Sequence, residues 1–230
     1  MDAHLQTAWM IALTVVLYLI TRHFYLRSGA HPLLNIVIWS SGALIALFVA
    51  YGIPYSDYQP AGDLMTAPLG PATVGLAVPL YRFRKLLRSN AVAIISSVAA
   101  GTILSMLISG LICKYAGLPW NVAVSMMPKG ASIPFAVEIA RVYDGIPALS
   151  AAFVAATGTS MAPLGAMLLT RARVSDPLTR GLALGTVAHA QGTALSLMES
   201  PQQGAMSGLA MILAGLFTAA LAPLVFQMLR

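Results

Sequence analysis

The sequence predicts an all-α polytopic membrane protein, and three observations predict it. Apolar residues make up 58% of the 230-residue chain and charged residues only 9%. Soluble domains carry roughly 25% charged residues, so much of the surface must face lipid. Six apolar runs reach or approach the roughly 20 residues a helix needs to cross a bilayer. They are Leu5–Ile20, Leu33–Ile53, Leu64–Tyr81, Ala91–Cys113, Ile146–Thr170 and Ala205–Leu229. The basic residues behind the net charge of +6 sit in short clusters between these runs. That is where topology signals lie, and it argues against nucleic acid as a partner.

Each element follows in order. Asp2 precedes the first run and a basic cluster follows it. A secretory signal has the opposite charge order, so the run reads as a mature first helix with its N-terminus outside. Two further stretches, Trp120–Tyr143 and Leu178–Glu199, are less apolar and are interrupted by polar or helix-breaking residues. The lone Cys113 lies inside an apolar run and reads as a packing residue. With one Cys and four His there is no disulfide framework and no metal-ligand cluster, and no cofactor is implied. The whole chain reads as one integral membrane domain, with residues 1–60 as scaffold helices and 61–230 as a core.

Loop charges order the runs. Arg22 and Arg27 follow the first, Arg82, Arg84, Lys85 and Arg88 follow the third, and Arg171, Arg173 and Arg180 flank the loop after Thr170. Asp57 and Asp63 lie between the second and third runs and read as loop. The positive-inside rule puts the three basic loops in the cytoplasm. If Trp120–Tyr143 crossed the bilayer, the loop after Thr170 would fall outside. If it dips in and returns, that loop falls inside. The charges favour six full crossings plus two interrupted or re-entrant elements, with eight crossings as the alternative.

Irregular backbone at membrane depth survives only where protein or a water-filled cavity satisfies its polar groups, so interruptions mark candidate binding sites. The first spans Ala67–Pro79, where Pro71 and Pro79 free carbonyls and Thr73 offers a hydroxyl. It also reads as a kinked helix that packs through small residues. The second is Ser125–Pro134, where Pro128 and Gly130 break the helix. Ser132 is placed to cap a new helix with Pro134 in its first turn. That N-terminus, with Lys129 beside it, forms an anion-attracting site. A lysine that snorkels to the interface is the plainer reading. The third is Gly185–Thr193, where His189, Gln191 and Thr193 bring donors and acceptors and Gly192 permits a turn. A packing histidine satisfied by a neighbour is the plainer reading there. By the same parity the second element enters from outside and the third from inside, as in inverted-repeat transporters.

An enzyme reads poorly. Ser125 and Lys129 have the spacing of a Ser–Lys dyad, but Pro128 lies between them. Glu138 has Arg141 close enough to pair. The polar breaks carry Lys, His, Gln, Ser and Thr, an inventory that suits an anion.

Several blocks resemble the LrgB/CidB family. They are Leu33-Leu34-Asn35, Leu69 through Tyr81, Pro128-Lys129 followed by Pro134, Gly145-Ile146-Pro147, and Arg180 through Gly185 to Ala188-His189 and Gly192-Thr193-Ala194. The match runs in order over nearly the whole chain. The resemblance implies a multi-pass protein of the bacterial inner membrane, often working with a small holin-like partner of the LrgA/CidA type. It implies transport of a small monocarboxylate, as in plastid glycolate/glycerate translocators and proteins linked to pyruvate, and Asn35 joins the candidate binding residues. It equally implies a holin/antiholin-like regulator of murein hydrolase export and autolysis with no substrate of its own. A homo-oligomer, most simply a homodimer, is expected of so short a chain. Two departures bear on the cargo. Gly130-Ala131-Ser132-Ile133 replaces a more hydroxyl-rich stretch, and Leu195 stands where the family usually has Arg.

Overall fold

The computed structural model describes residues 3–28, 36–68, 81 and 84–230. The described residues are helical almost throughout. They fall into two compact units, Met1–Gly75 and Leu76–Arg230.

In the first unit, α1 (Ala3–Arg27), α2 (Ile36–Tyr51) and α3 (Tyr55–Thr66) pack as a small bundle. Thr14 Oγ1 lies 3.3 Å from Tyr58 Oη, and the Phe48 and Tyr58 rings meet edge to face at 5.4 Å. Asp57 and Asp63 both lie on α3, which corrects their reading as loop. Pro54 starts this helix from an extended backbone, and Asp57 in the first turn complements the helix dipole. Its low apolar content hid it from a composition reading. Most of the expected third crossing, with Pro71, Thr73 and Pro79, lies outside the described residues, as does Asn35.

In the second unit, α4 (Arg84–Ser89) leads into α5 (Ala91–Tyr115). Then come α6 (Trp120–Met126), a 3-10 turn over Met127–Gly130, α7 (Ile133–Val142), α8 (Pro147–Arg171), α9 (Pro177–Glu199) and α10 (Pro201–Leu229). Among the described residues, four helices are long and apolar enough to cross a membrane: α1, α5, α8 and α10. α2 is apolar but shorter.

The segments between the long helices fold back on themselves. In α9 the helical backbone is interrupted at His189, with φ 40° and ψ −123°. Arg180 and Glu199 stand 19 residues apart, yet Arg180 Nε lies 3.0 Å from Glu199 Oε2. A continuous helix would separate them by about 28 Å, so the two arms of α9 form a hairpin with its tip at His189. Gly192 makes the return possible, because a Cβ there would collide with the Leu184 carbonyl on the opposite arm. The segment α6–turn–α7 does the same. Ser125 Oγ accepts the Ile146 N–H at 2.7 Å across 21 residues. Trp120 and Tyr143, at its two ends, both set their rings edge-on to Phe226, at 6.2 and 5.1 Å. Within the second unit this geometry fits two interrupted elements better than the eight-crossing alternative.

The long helices show that the hairpins enter from opposite ends. α10 starts beside Glu199, where Gln203 Nε2 donates to Glu199 Oε2 at 2.8 Å. It ends beside the first hairpin, and Lys114 Nζ caps its Leu229 carbonyl at 3.0 Å. Its 29 residues span about 43 Å. The N-cap of α8, Ile146, lies beside Ser125, and α8 ends where Thr170 accepts from Arg180 NH1 at 3.2 Å. Arg84, Lys85 and Arg88 before α5 and Arg171 and Arg173 at and just after the end of α8 therefore share one end.

Helix starts follow local capping chemistry. The Ser200 side chain accepts from Gln203 N and Pro201 occupies the first turn, so α10 begins at Pro201 rather than at the expected Ala205. Asp176 does the same for α9 through Thr179 N at 2.8 Å and Thr179 Oγ1 at 2.6 Å. These bonds hold its carboxyl below the usual carboxylate range. α9 then lies close on α10, because Gly181 and Gly185 sit against the Gln203 and Ser207 carbonyls with no room for a side chain.

Candidate functional site

The tips of the two hairpins meet in the interior of the second unit. Gly130 lies against Ser105 Oγ on α5 and the Thr186 carbonyl on α9. The turn that carries Lys129 packs on α9, the helix that carries His189. Around this crossing stand hydroxyls from three helices, and Thr102, Thr186, Thr193, Ser207 and Thr218 are all buried there. Between the tips is a cavity of about 10 Å³ lined by Thr102, Ser105, Met106, Met127, Gly130, Thr186 and Thr218. It has room for at most one water molecule, so no organic acid fits in this cavity.

Each side chain is positioned by a local cause. Pro128 sits in the 3-10 turn and cannot donate, which ends α6. Lys129 then points to α5, where Nζ donates to Ser109 Oγ at 2.8 Å, and Ser109 Oγ donates to the Ser105 carbonyl at 2.6 Å. Ser132 occupies the N-cap position of α7 with an extended backbone and Pro134 in the first turn, but its hydroxyl makes no capping bond. The free N–H groups at that end keep their partial positive charge for another acceptor.

On the second tip His189 is 4% exposed and its Nε2 has no hydrogen-bond partner. Its positive φ is costly for a residue with a Cβ. The ring packs on Gly158 of α8, where a Cβ would come within 2.5 Å of His189 Cε1. Gln191 Nε2 donates to Thr159 Oγ1 on α8 at 2.9 Å. Thr193 Oγ1 donates to the His189 carbonyl at 2.9 Å and lies 3.1 Å from Ser207 Oγ on α10.

The sequence-derived residues thus gather around one crossing but face different helices. Lys129 faces α5, His189 and Gln191 face α8, and Thr193 faces α10. Gly192 serves the close approach of the arms and presents no group of its own. Ser125 and Lys129 are not paired, since Ser125 Oγ is engaged by Asn121 O and Ile146 N. Glu138 and Arg141 pair at 2.7 Å, both mostly exposed, where such a bridge contributes little. Cys113 is fully buried against Met126.

Sequence reasoning missed the hydroxyls of α5. Thr102, Ser105 and Ser109 fall at helical spacing on one face of an apolar run, a signal that was readable. Thr102 Oγ1 joins His189 Nε2 as a buried polar atom without a partner. It also missed the partner of Arg180. That arginine is buried on α9, where it pairs with Glu199, instead of serving as a loop charge.

The model of the LrgB-like family matches residues 14–228. The chain is 34% identical to the uncharacterized protein YwbG of Bacillus subtilis over 214 residues, 92% of this chain and 93% of that one. It is 30% identical to the holin-like protein CidB of Staphylococcus aureus strain Mu50 over 223 residues, 97% of both chains. YxaC of Bacillus subtilis is 33% identical over 217 residues, 94% of both. No solved structure matches the chain. The chain is a polytopic membrane protein that belongs to the LrgB-like family.

Proposed function

We propose that the protein is a secondary transporter for a small monocarboxylate of the glycolate, glycerate or pyruvate kind. The observation that carries this reading is the meeting of two opposed hairpin tips at a polar crossing that includes Lys129 and the unpartnered His189 Nε2. An ionisable side chain at that depth is a functional candidate by default, and a cation beside a free helix N-terminus favours an anion. Lys129 and the start of α7 attract the carboxylate. His189, Gln191 and Thr193 orient the rest, and His189 or Lys129 couples a proton. The cavity of about 10 Å³ means that the tips must part to admit cargo. In this reading the end with Arg84, Lys85, Arg88, Arg171 and Arg173 faces the cytoplasm of a bacterial inner membrane and the N-terminus lies outside. The chain works as a homo-oligomer and is not an enzyme.

Uptake of labelled C2–C3 acids by reconstituted liposomes, with and without a pH gradient, tests the proposal. Uptake is expected for the wild type. Lys129→Ala is expected to lower it about a hundredfold, as when one partner of a buried charge contact is removed. Absence of uptake for every acid tried would sink the idea.

A second reading draws on the holin-like name of the CidB relative. There the protein regulates murein hydrolase export with a small holin-like membrane partner and carries nothing. Lys129→Ala and His189→Ala then leave the regulatory phenotype near normal.

A further inference from the structure

The mouth of the second hairpin holds a charge pair of unequal partners. Arg180 Nε donates to Glu199 Oε2 at 3.0 Å and its NH2 donates to Oε1 at 3.2 Å, a fork-to-fork arrangement. NH1 donates to the Val174 carbonyl at 3.0 Å and to Thr170 Oγ1 at 3.2 Å. The guanidinium is thus fixed from behind by the end of α8 and the loop after it. Its side chain is 11% exposed, against 32% for Glu199. The carboxylate is the outer, more accessible member. Both line an open cleft of about 580 Å³ with Arg173, Ser175 and Ser200. That volume is within the range of small-molecule sites and far above the cavity between the tips.

A buried, pre-oriented guanidinium that holds a replaceable carboxylate is a carboxylate receptor filled by the protein's own side chain. We infer that Arg180 is an entry site for the cargo carboxylate and that Glu199 is its resident stand-in. This inference rests on the monocarboxylate reading. An incoming acid takes the place of Glu199, and the charge-assisted bonds to Arg180 are exchanged one for one. Glu199 swings into the cleft, keeping Gln203 as a donor. The return arm, residues 190–199, loses its tie to the first arm and the mouth opens. Planar, two-oxygen anions are favoured over spherical ones, because the fork of the guanidinium matches only the former.

Hydrogen–deuterium exchange on the full-length protein in lipid nanodiscs tests this, with sodium glycolate compared with sodium chloride at equal ionic strength. In the wild type, glycolate is expected to speed amide exchange in the return arm several-fold over chloride and to leave residues 120–142 unchanged. Glu199→Gln, which keeps the shape and one acceptor, is expected to exchange fast in both salts. Arg180→Lys keeps the charge but loses the fork, and is expected to respond equally to the two salts. Equal exchange of the wild-type arm in glycolate and chloride overturns the entry site, whether or not liposomes take up acids. A glycolate-specific response without uptake upholds the site and overturns the carrier reading instead.

Discussion

The two hairpins of the second unit solve the same problem with different chemistry. Each returns its chain to the face it entered, and each must tie its arms at the mouth. The first mouth is tied by neutral groups: Trp120 and Tyr143 clamp Phe226 by apolar contact, and the Ile146 N–H donates to Ser125 Oγ. The second is tied by charge, through Arg180, Glu199 and Gln203. Apolar packing is insensitive to ions and offers no group for an anion to displace. An ion pair can exchange its partner. The difference assigns a fixed role to the first hairpin and a movable one to the second.

The tips differ as well. The first carries a long cation that reaches away to Ser109, and the second a compact ring held at strained backbone against Gly158. A side chain with several rotatable bonds can follow cargo across a small distance, whereas the His189 ring moves only if its arm moves.

The largest effect expected on this comparison comes from the backbone contact between α9 and α10. Gly185→Val forces a branched side chain into the Ser207 carbonyl and is expected to cost about 3 kcal/mol or more. Thermal unfolding in detergent checks it, and a native-like midpoint would break the close packing described. Next, Phe226→Ala at the first mouth is expected to cost about 3 kcal/mol, since it removes the ring both clamping residues rest on. Arg180→Ala at the second mouth leaves Glu199 without its cation. Breaking a buried pair costs about 3–5 kcal/mol, but Glu199 is partly solvated, so about 2 kcal/mol is expected. Salt sharpens the contrast: the Arg180 effect shrinks at high ionic strength and the Phe226 effect does not. A salt-dependent Phe226→Ala and a salt-independent Arg180→Ala would reverse the roles assigned to the two mouths.

The smallest effect belongs to the α9 cap. Asp176→Ala is expected to cost about 1 kcal/mol at neutral pH. The Asp176 carboxyl is held below its ordinary value, so its contribution is fully present above that ordinary value. It is lost as pH falls through the lowered one. Melting curves of wild type and Asp176→Ala are expected to converge in strong acid.

Much of this arrangement was legible before any coordinates. The loop charges around Arg171 and Arg173 favoured an even number of passes between α5 and α8, and Pro128 and Gly130 marked where the chain turns. Ser200-Pro201 was a helix-start signal, although hydropathy alone placed the start four residues later, at Ala205. The pairing of Arg180 with Glu199 was not legible. It depends on a reversal at His189 that no proline announces, and the arginine therefore looked like one more loop charge. α3 was hidden for a different reason, because its mixed composition resembles a loop, although in the structure it packs through Tyr58 on Thr14 and Phe48. The facing of Lys129, His189 and Thr193 toward three different helices is a tertiary fact with no local signature.

The central claim is that both interrupted segments return to the face they enter, from opposite sides. Single cysteines placed in a Cys113→Ala background test it most directly, labelled with an impermeant maleimide from either side of oriented vesicles. Ala116→Cys and Asp144→Cys bracket the first hairpin, and Ser175→Cys and Pro201→Cys bracket the second. The account predicts that the first two label from one side only and the second two from the other side only. Labelling of Ala116→Cys and Asp144→Cys from opposite sides, or of Ser175→Cys and Pro201→Cys from opposite sides, would contradict it.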